Sequence, residues 1–244
     1  IKKFKPELIF IGGGWPELID KKIYKISKFG GINLHPSILP NFRGGDIIRW
    51  QIKENSKNFG VTFHKINSKF DFGNIVLQKK IKIKIRNPYL IGRKLSQLSS
   101  KFIKNLLKID LSSDIIKVSK KTPYYNKWNW LDKNFFEIKI EKLNHLNELF
   151  YFINAAKNFP NNYNGPFLSY ENKKFIIREC KLIKIKNLCS SNSVKFNNKS
   201  IILKIKNSKI NLKITKIQFF NEKMWRSNYI KSKYITENFR KIFI

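Results

Sequence analysis

The sequence predicts an α/β domain on a parallel sheet, followed by a smaller, β-barrel-like domain. Three observations carry this expectation. The apolar run Lys5–Ile11 (KPELIFI) ends in Gly12-Gly13-Gly14, and a helical stretch around Pro16–Ser27 leads to a second short apolar segment, Gly31–Leu34 (GINL). Strand, helix and strand in such close succession form a βαβ unit, whose strands run parallel and are covered by helices. Helix-period and strand-period segments then continue to about Ala156, whereas from Pro166 onward the pattern is of strands alone.

Lys5–Ile11 is uninterrupted in its apolar core, as a strand buried on both faces requires. Pro16 suits a first helical turn, because its missing N–H has no partner to lose there. His35–Asp46 (HPSILPNFRGGD) is a loop rich in Pro and Gly, and Ile47–Asn55 reads as a helix. Phe59–Ile66 and Ile75–Ile85 alternate with period two and are joined by the loop Asn67–Asn74. Pro88–Leu107 places apolar residues at helical spacing, predicting a long amphipathic helix. Residues from Lys108 to Trp130 read as a connector ending in the cluster Tyr124, Tyr125, Trp128 and Trp130, best explained as a hydrophobic plug. A helix over Glu141–Ala156 precedes the strands Phe167–Tyr170, Lys174–Ile185, Ser200–Ile205 and Lys209–Phe219. Two domains are expected, over residues 1–130 and 138–244.

Composition sets limits on function. A hydrophobic fraction of 42% with 14% aromatic residues supplies a core, which excludes a disordered chain. Lys and Arg number 50 against 16 Asp and Glu, a net charge of +34. Such a charge attracts polyanions in a salt-dependent way. Strong A+T bias in a coding sequence would swell Lys, Asn, Ile and Phe in the same manner, and many lysines fall on the solvated face of strands such as Gln78–Ile85 (QKKIKIKI). The charge alone therefore identifies no partner. Cys180 and Cys189 stand without ligand-spaced partners, which argues against a disulfide framework or a metal site and fits a reducing cytoplasm. No apolar run reaches membrane-spanning length, and no cleavable signal is visible. The chain opens on Ile1 rather than Met, so the true N-terminus is expected upstream.

The chemistry centres on Asn33-Leu34-His35. Alternate side chains on a strand share a face, so Asn33 and His35 point together where the strand meets its loop. An amide beside a protonated imidazole offers two donors to an oxyanion. A lone histidine is also commonly structural, and the pair alone does not decide. Asp71, in Lys69-Phe70-Asp71-Phe72-Gly73, either closes a turn or acts as an acid held in apolar surroundings.

Taken together, Gly31–Asp46 (GINLHPSILPNFRGGD), Gly60–His64 (GVTFH) and Asp71–Gln78 (DFGNIVLQ) resemble the folate-dependent formyltransferase family. The family signature Asn-x-His-x-Ser-Leu-Leu-Pro-x-x-Arg-Gly is met by Asn33, His35, Ser37, Leu39, Pro40, Arg43 and Gly44, with Ile38 for the first Leu, and an Asp-x-Gly loop follows. Ile153–Phe167 is similar to the segment entering the family's C-terminal domain; the likeness spans nearly the whole chain and is weakest after Ser190.

The resemblance implies a partial Rossmann-like domain, its first half missing, followed by an OB-like barrel. It implies a mechanism as well. An acceptor amine attacks the formyl carbon of 10-formyltetrahydrofolate. Asn33 and protonated His35 stabilise the oxyanion, while Asp71 keeps His35 charged and helps remove the amine proton. Trp15, Pro16, Leu18, Ser37, Leu39, Pro40, Phe70 and Gly73 would form the folate site, and Arg43 and Gly44 would meet the acceptor or fix its loop. Two acceptors are open: the methionyl group on initiator tRNA, favoured by the long basic C-terminal region, and a 4-amino sugar nucleotide, favoured by Trp50 and His64. Glycinamide ribonucleotide ranks third, because that enzyme normally lacks the Arg-Gly and the second domain. A nucleic-acid-binding remnant without catalysis is the alternative of another class. Two departures from the family stand out: the strands that precede Lys5–Ile11 in relatives are absent, and Ile47 stands where most relatives have Pro.

Overall fold

The computed structural model describes residues 2–12, 14–106, 108–111, 122–157, 163–228 and 230–243. Gly13, Leu107, much of the expected connector before Thr122 and the middle of Ile153–Phe167 lie outside the described residues. The chain divides into two compact units. One comprises Ile1–Gln51, Ser56–Ile85 and Tyr89–Trp128, the other Ile52–Asn55, Arg86–Pro88 and Asn129–Ile244.

In the first unit the strands are β1 (Ile9–Ile11), β2 (Gly31–His35), β4 (Phe59–Lys65) and β5 (Ile75–Ile81), in the order β1-β2-β4-β5. A two-residue pair lies apart, β3 (Arg43–Gly44) with β6 (Tyr124–Tyr125). The main sheet holds the expected parallel pair and is extended by antiparallel strands. Only β1 and β2 run parallel; β4 is antiparallel to both β2 and β5. A loop as short as the one between Lys65 and Ile75 can only return the chain antiparallel, since a parallel partner needs a crossover. Strand β5 stops at Ile81 although alternation continues to Ile85, because Phe59, opposite Ile81, is where its partner β4 begins.

The expected helix over Pro16–Ser27 is the single turn α1 (Lys21–Tyr24). Asp20 caps it by accepting from Lys22 N at 2.7 Å, which fixes the start and leaves Pro16 outside. Helix α2 (Ile47–Lys53) and helix α3 (Pro88–Leu106) follow the sequence expectation, and α3 buries Ile91, Leu95, Ser99 and Leu106 along one stripe. Core positions of the sheet are taken by Ile32, Val61 and Phe63, with Phe10 stacked on Phe63 at 6.0 Å between centroids.

The second unit opens with α4 (Lys133–Phe136) and α5 (Leu146–Ala155). Helix α5 is shorter than expected because the chain before it forms a separate 3-10 turn at Ile140–Lys142 and then extends through Leu143 and His145. The strands are β7 (Phe167–Tyr170), β8 (Lys173–Lys184), β9 (Ser193–Asn197), β10 (Ser200–Lys204), β11 (Ile210–Phe219) and β12 (Tyr234–Ile235). They form one antiparallel sheet in the order β7-β8-β11-β10-β9, with β12 on β11. The sheet curls: Tyr170 and Phe196, on the two end strands, have ring centroids 4.7 Å apart.

The expectation of strands alone after Pro166 is also corrected. Helices α6 (Glu222–Arg226) and α7 (Phe239–Phe243) supply the aromatic rings that the curled sheet needs on its two faces. Phe243 stacks on Phe196 at 4.7 Å and meets Phe175 at 5.1 Å, inside a core shared with Leu149, Ile153, Leu212 and Ile217. Trp225 packs against Phe167 and Phe220 at 5.0 and 4.9 Å and donates from Nε1 to Leu131 O at 3.0 Å. Buried Arg178 donates to Gln218, whose amide in turn holds the carbonyls of Ile230 and Ser232. That polar chain pins the segment carrying α6 onto the sheet.

Trp225→Ala removes a side chain only 1% exposed and its hydrogen bond. It should cost about 3–5 kcal/mol of unfolding free energy in urea. A loss under about 1 kcal/mol would show that α6 is not part of the core.

Candidate active site

Asn33 and His35 leave β2 on the same face, as alternation requires, and β4 runs antiparallel beside them with His64 directly opposite Asn33. Asp71 reaches the same place from the β4–β5 loop. Its backbone is left-handed (φ 51°), and Gly73 two residues later packs against β4 so closely that a Cβ there would run into the Lys65 carbonyl. Only glycine permits that approach. The loop is thereby held against the strand, with Lys65 N donating to Asn74 O at 2.8 Å.

The Asp71 carboxylate is the centre of the site. Its Oδ1 lies 3.3 Å from His35 Nδ1, 3.5 Å from His64 Nε2 and 3.5 Å from Asn33 Nδ2, and Oδ2 accepts from Gly44 N at 3.0 Å. Burial alone would raise its pKa, but the hydrogen bond from His35, the charge of His35 and the Gly44 N–H outweigh it. The acid is held well below the usual carboxylate range. His35 Nε2 faces Phe42 O at 2.7 Å. Both nitrogens of that ring thus face acceptors, the arrangement of a doubly protonated imidazole.

The loop after β2 is fastened from within. Thr62 Oγ1 donates to Ser37 O at 2.7 Å and accepts from Leu39 N at 3.2 Å and Gln78 Nε2 at 2.8 Å. Ser37 Oγ donates to Asn41 O at 2.9 Å, and Gln78 Nε2 also reaches Leu39 O at 2.9 Å. Ser37 and Leu39 are buried, and the Leu39–Pro40 peptide is cis. Arg43 donates to the hydroxyl and carbonyl of Thr122 and lies over the Phe72 ring at 4.9 Å. Gly44 has φ 111°, and a Cβ there would strike Tyr125 O. Its peptide N–H is therefore free to turn to Asp71 only because it is glycine.

The structure brings Asn33, His35 and Asp71 together, with Gly44 joined by its backbone. Phe70 and Gly73 flank Asp71 in sequence, and Phe70 lies 6.3 Å from the ring of Tyr124. Trp15, Pro16 and Leu18 stand exposed in the loop between β1 and α1. His64 is the member that sequence reasoning did not place in the site. Its sequence signal is its place in the Gly60–His64 stretch that carries part of the family resemblance, and nothing local says that this strand pairs with β2. Among the described residues no cluster of three or more His, Cys, Asp or Glu is arranged to hold a metal ion.

A buried His–Asp pair with an amide beside it, at the end of a strand in an α/β sheet, is an arrangement with the groups that acid–base group transfer needs. Residues 1–91 match the model of the formyl transferase family. Methionyl-tRNA formyltransferase of Caldicellulosiruptor saccharolyticus is 27% identical over 222 residues, which is 87% of this chain and 67% of that protein. GDP-perosamine N-formyltransferase of Brucella melitensis is 31% identical over 109 residues, 44% of this chain and 42% of that protein. This chain spans less than half the length of several other curated relatives it matches. In fold it is similar to the N-formyltransferase of Helicobacter canadensis in complex with folinic acid and dTDP-3-aminofucose: TM-score 0.63 and 17% identity, over 90% of this chain and 77% of the other. The chain is related to the folate-dependent formyltransferases and resembles methionyl-tRNA formyltransferase among them.

A carboxylate whose pKa is lowered on folding stabilises the folded state above its unfolded value, and that contribution is lost as pH falls through the folded value. Asp71→Asn should therefore lower stability at pH 7. The gap to the unmutated protein should shrink once pH drops below about 4, the ordinary carboxylate value. Urea melts of both proteins at pH 7 and pH 3 test this; a gap of constant size would show that Asp71 does not ionise into these hydrogen bonds.

Proposed function

We propose that the chain is the greater part of an N-formyltransferase that carries the formyl group of 10-formyltetrahydrofolate to a primary amine. The observation that carries this reading is the convergence of Asn33, His35 and Asp71, with His35 Nδ1 3.3 Å from the acid. The amine attacks the formyl carbon, and the oxyanion that forms takes hydrogen bonds from Asn33 Nδ2 and from the charged His35. For Nε2 of His35 to serve, it must exchange the Phe42 carbonyl for the substrate oxygen. An acid held as low as Asp71 is a weak base, so its first task is to keep His35 charged. Collapse of the tetrahedral intermediate breaks the bond from the formyl carbon to N10 of the folate, and N10 takes the proton of His35. Asp71 helps pass the amine proton to the neutral His35. Trp15, Pro16, Leu18, Phe70 and Pro40 would meet the folate, with Ser37, Leu39 and Gly73 shaping the loops that hold it. Arg43 and Gly44 would fix the acceptor loop.

The acceptor that we favour is the methionyl amino group on initiator tRNA. Support comes from the likeness over 87% of the chain to a methionyl-tRNA formyltransferase and from the lysine-rich strands after Pro166. In this reading residues 1–130 form the catalytic domain and 138–244 a second, OB-like domain that tracks phosphates, in a cytoplasmic protein. An amino-sugar nucleotide, expected from the sequence to be a 4-amino sugar, is the second reading. It is supported by His64 and Trp50 and, for the amino-sugar class alone, by the Helicobacter structure with dTDP-3-aminofucose.

The test is a formyl-transfer assay with 10-formyltetrahydrofolate, offering initiator Met-tRNA in one reaction and an amino-sugar nucleotide in another. Product on one acceptor decides between them, and product on neither sinks the reading. His35→Ala and Asp71→Ala should abolish product, and Asn33→Ala should lower kcat by about a hundredfold to a thousandfold. A non-catalytic nucleic-acid binder would be indifferent to all three.

A further inference from the structure

We propose that His64 is a positioning residue that sets the orientation of the Asn33 amide. The proposal rests on the reading of Asn33 as an oxyanion donor. The register of β2 on β4 makes Asn33 and His64 direct cross-strand partners, and the pairing of β4 with β5 is irregular between Phe63 and His64. His64 is buried, so its ring nitrogens must find partners within the protein.

Its Nδ1 lies 3.0 Å from Lys65 O. A carbonyl only accepts, so Nδ1 carries a proton. In the neutral ring Nε2 is then a bare acceptor, and Asn33 Nδ2 sits 3.2 Å from it. The line from Nε2 to Asp71 Oδ1 is longer, 3.5 Å, and requires a second proton on the ring. The neutral form therefore gives the shorter contact and fixes the amide, with its NH2 toward the site and its oxygen away. A doubly protonated His64 would set N–H against NH2. The amide would turn, presenting an acceptor where an oxyanion needs a donor. The other groups around this ring are consistent with the assignment. His35 meets it edge-on with centroids 6.4 Å apart, and the Lys65 ammonium is turned to the carbonyls of Phe29 and Leu111 at 3.0 and 2.8 Å.

Two measurements test the proposal. In the unmutated protein at neutral pH, long-range 1H–15N spectra should show His64 with Nδ1 protonated and Nε2 bare. A ring protonated at Nε2 overturns the proposal whatever reaction the protein catalyses. In the formyl-transfer assay, His64→Phe, which cannot accept, should lower kcat about tenfold or more while KM for the acceptor stays within about twofold. His64→Gln, whose amide oxygen can accept, should restore most of the loss. In an Asn33→Ala background, His64→Phe should cost little more, because the partner it orients is already gone. Equal losses in Phe and Gln, or full additivity with Asn33→Ala, refute the positioning role. If His64→Phe does not fold, the spectrum of the unmutated protein decides. If the unmutated protein transfers no formyl group while the spectrum holds, the formyltransferase reading has failed and the His64–Asn33 contact stands.

Discussion

The satisfaction of one buried carboxylate organises the first unit. An anion removed from water is costly unless hydrogen bonds and opposite charge replace its hydration. Asp71, with a side chain 9% exposed, meets that demand with the His35 imidazole, the Asn33 amide and the Gly44 peptide N–H, drawn from β2 and β3. Each donor is in turn held by something else: His35 by the Phe42 carbonyl, Asn33 by the His64 ring, and Gly44 by its pairing with Tyr125. Disturbing any of these leaves the acid short of a donor, so the strands and loops that carry them are coupled through it.

Strand register is what makes such convergence possible. Strand β2 is shared, parallel to β1 on one side and antiparallel to β4 on the other. A slip of one residue against β4 would move His64 to the opposite face from Asn33. The buried Thr62 hydroxyl, bridging Ser37, Leu39 and Gln78, opposes such a slip by fastening the loop after β2 to β4 and β5. The loop thus presents Arg43 and Gly44 from a rigid base rather than from a mobile segment.

The second unit solves a different problem. Its curled sheet has two faces to cover, and rings from α7 fill one while α6 covers the other. Lysines occupy many of the outward strand positions, as at exposed Lys181 and half-buried Lys213, which stand directly opposite each other across β8 and β11. Like charges so placed are unfavourable. A polyanion would relieve them, and a biased codon composition would produce them without one, so the charge by itself names no partner.

The residues decided by sequence alone are those whose cause is local. Alternation put Asn33 and His35 on one face. Likeness to the family's Asp-x-Gly loop marked Asp71 and Gly73, and apolar periodicity located α3, α5 and the longer strands. Long-range pairing lies beyond such patterns. The antiparallel course of β4 and β5, the end of β5 at Ile81, and the arrival of His64 opposite Asn33 depend on which strands meet. The weakly patterned β9 exists because β10 pairs with it, and α6 and α7 form where the curled sheet leaves apolar surface to bury. Local preference is written residue by residue in the chain. Register and the desolvation that draws donors to Asp71 exist only once distant segments are packed together, and that is why the tertiary structure had to decide them.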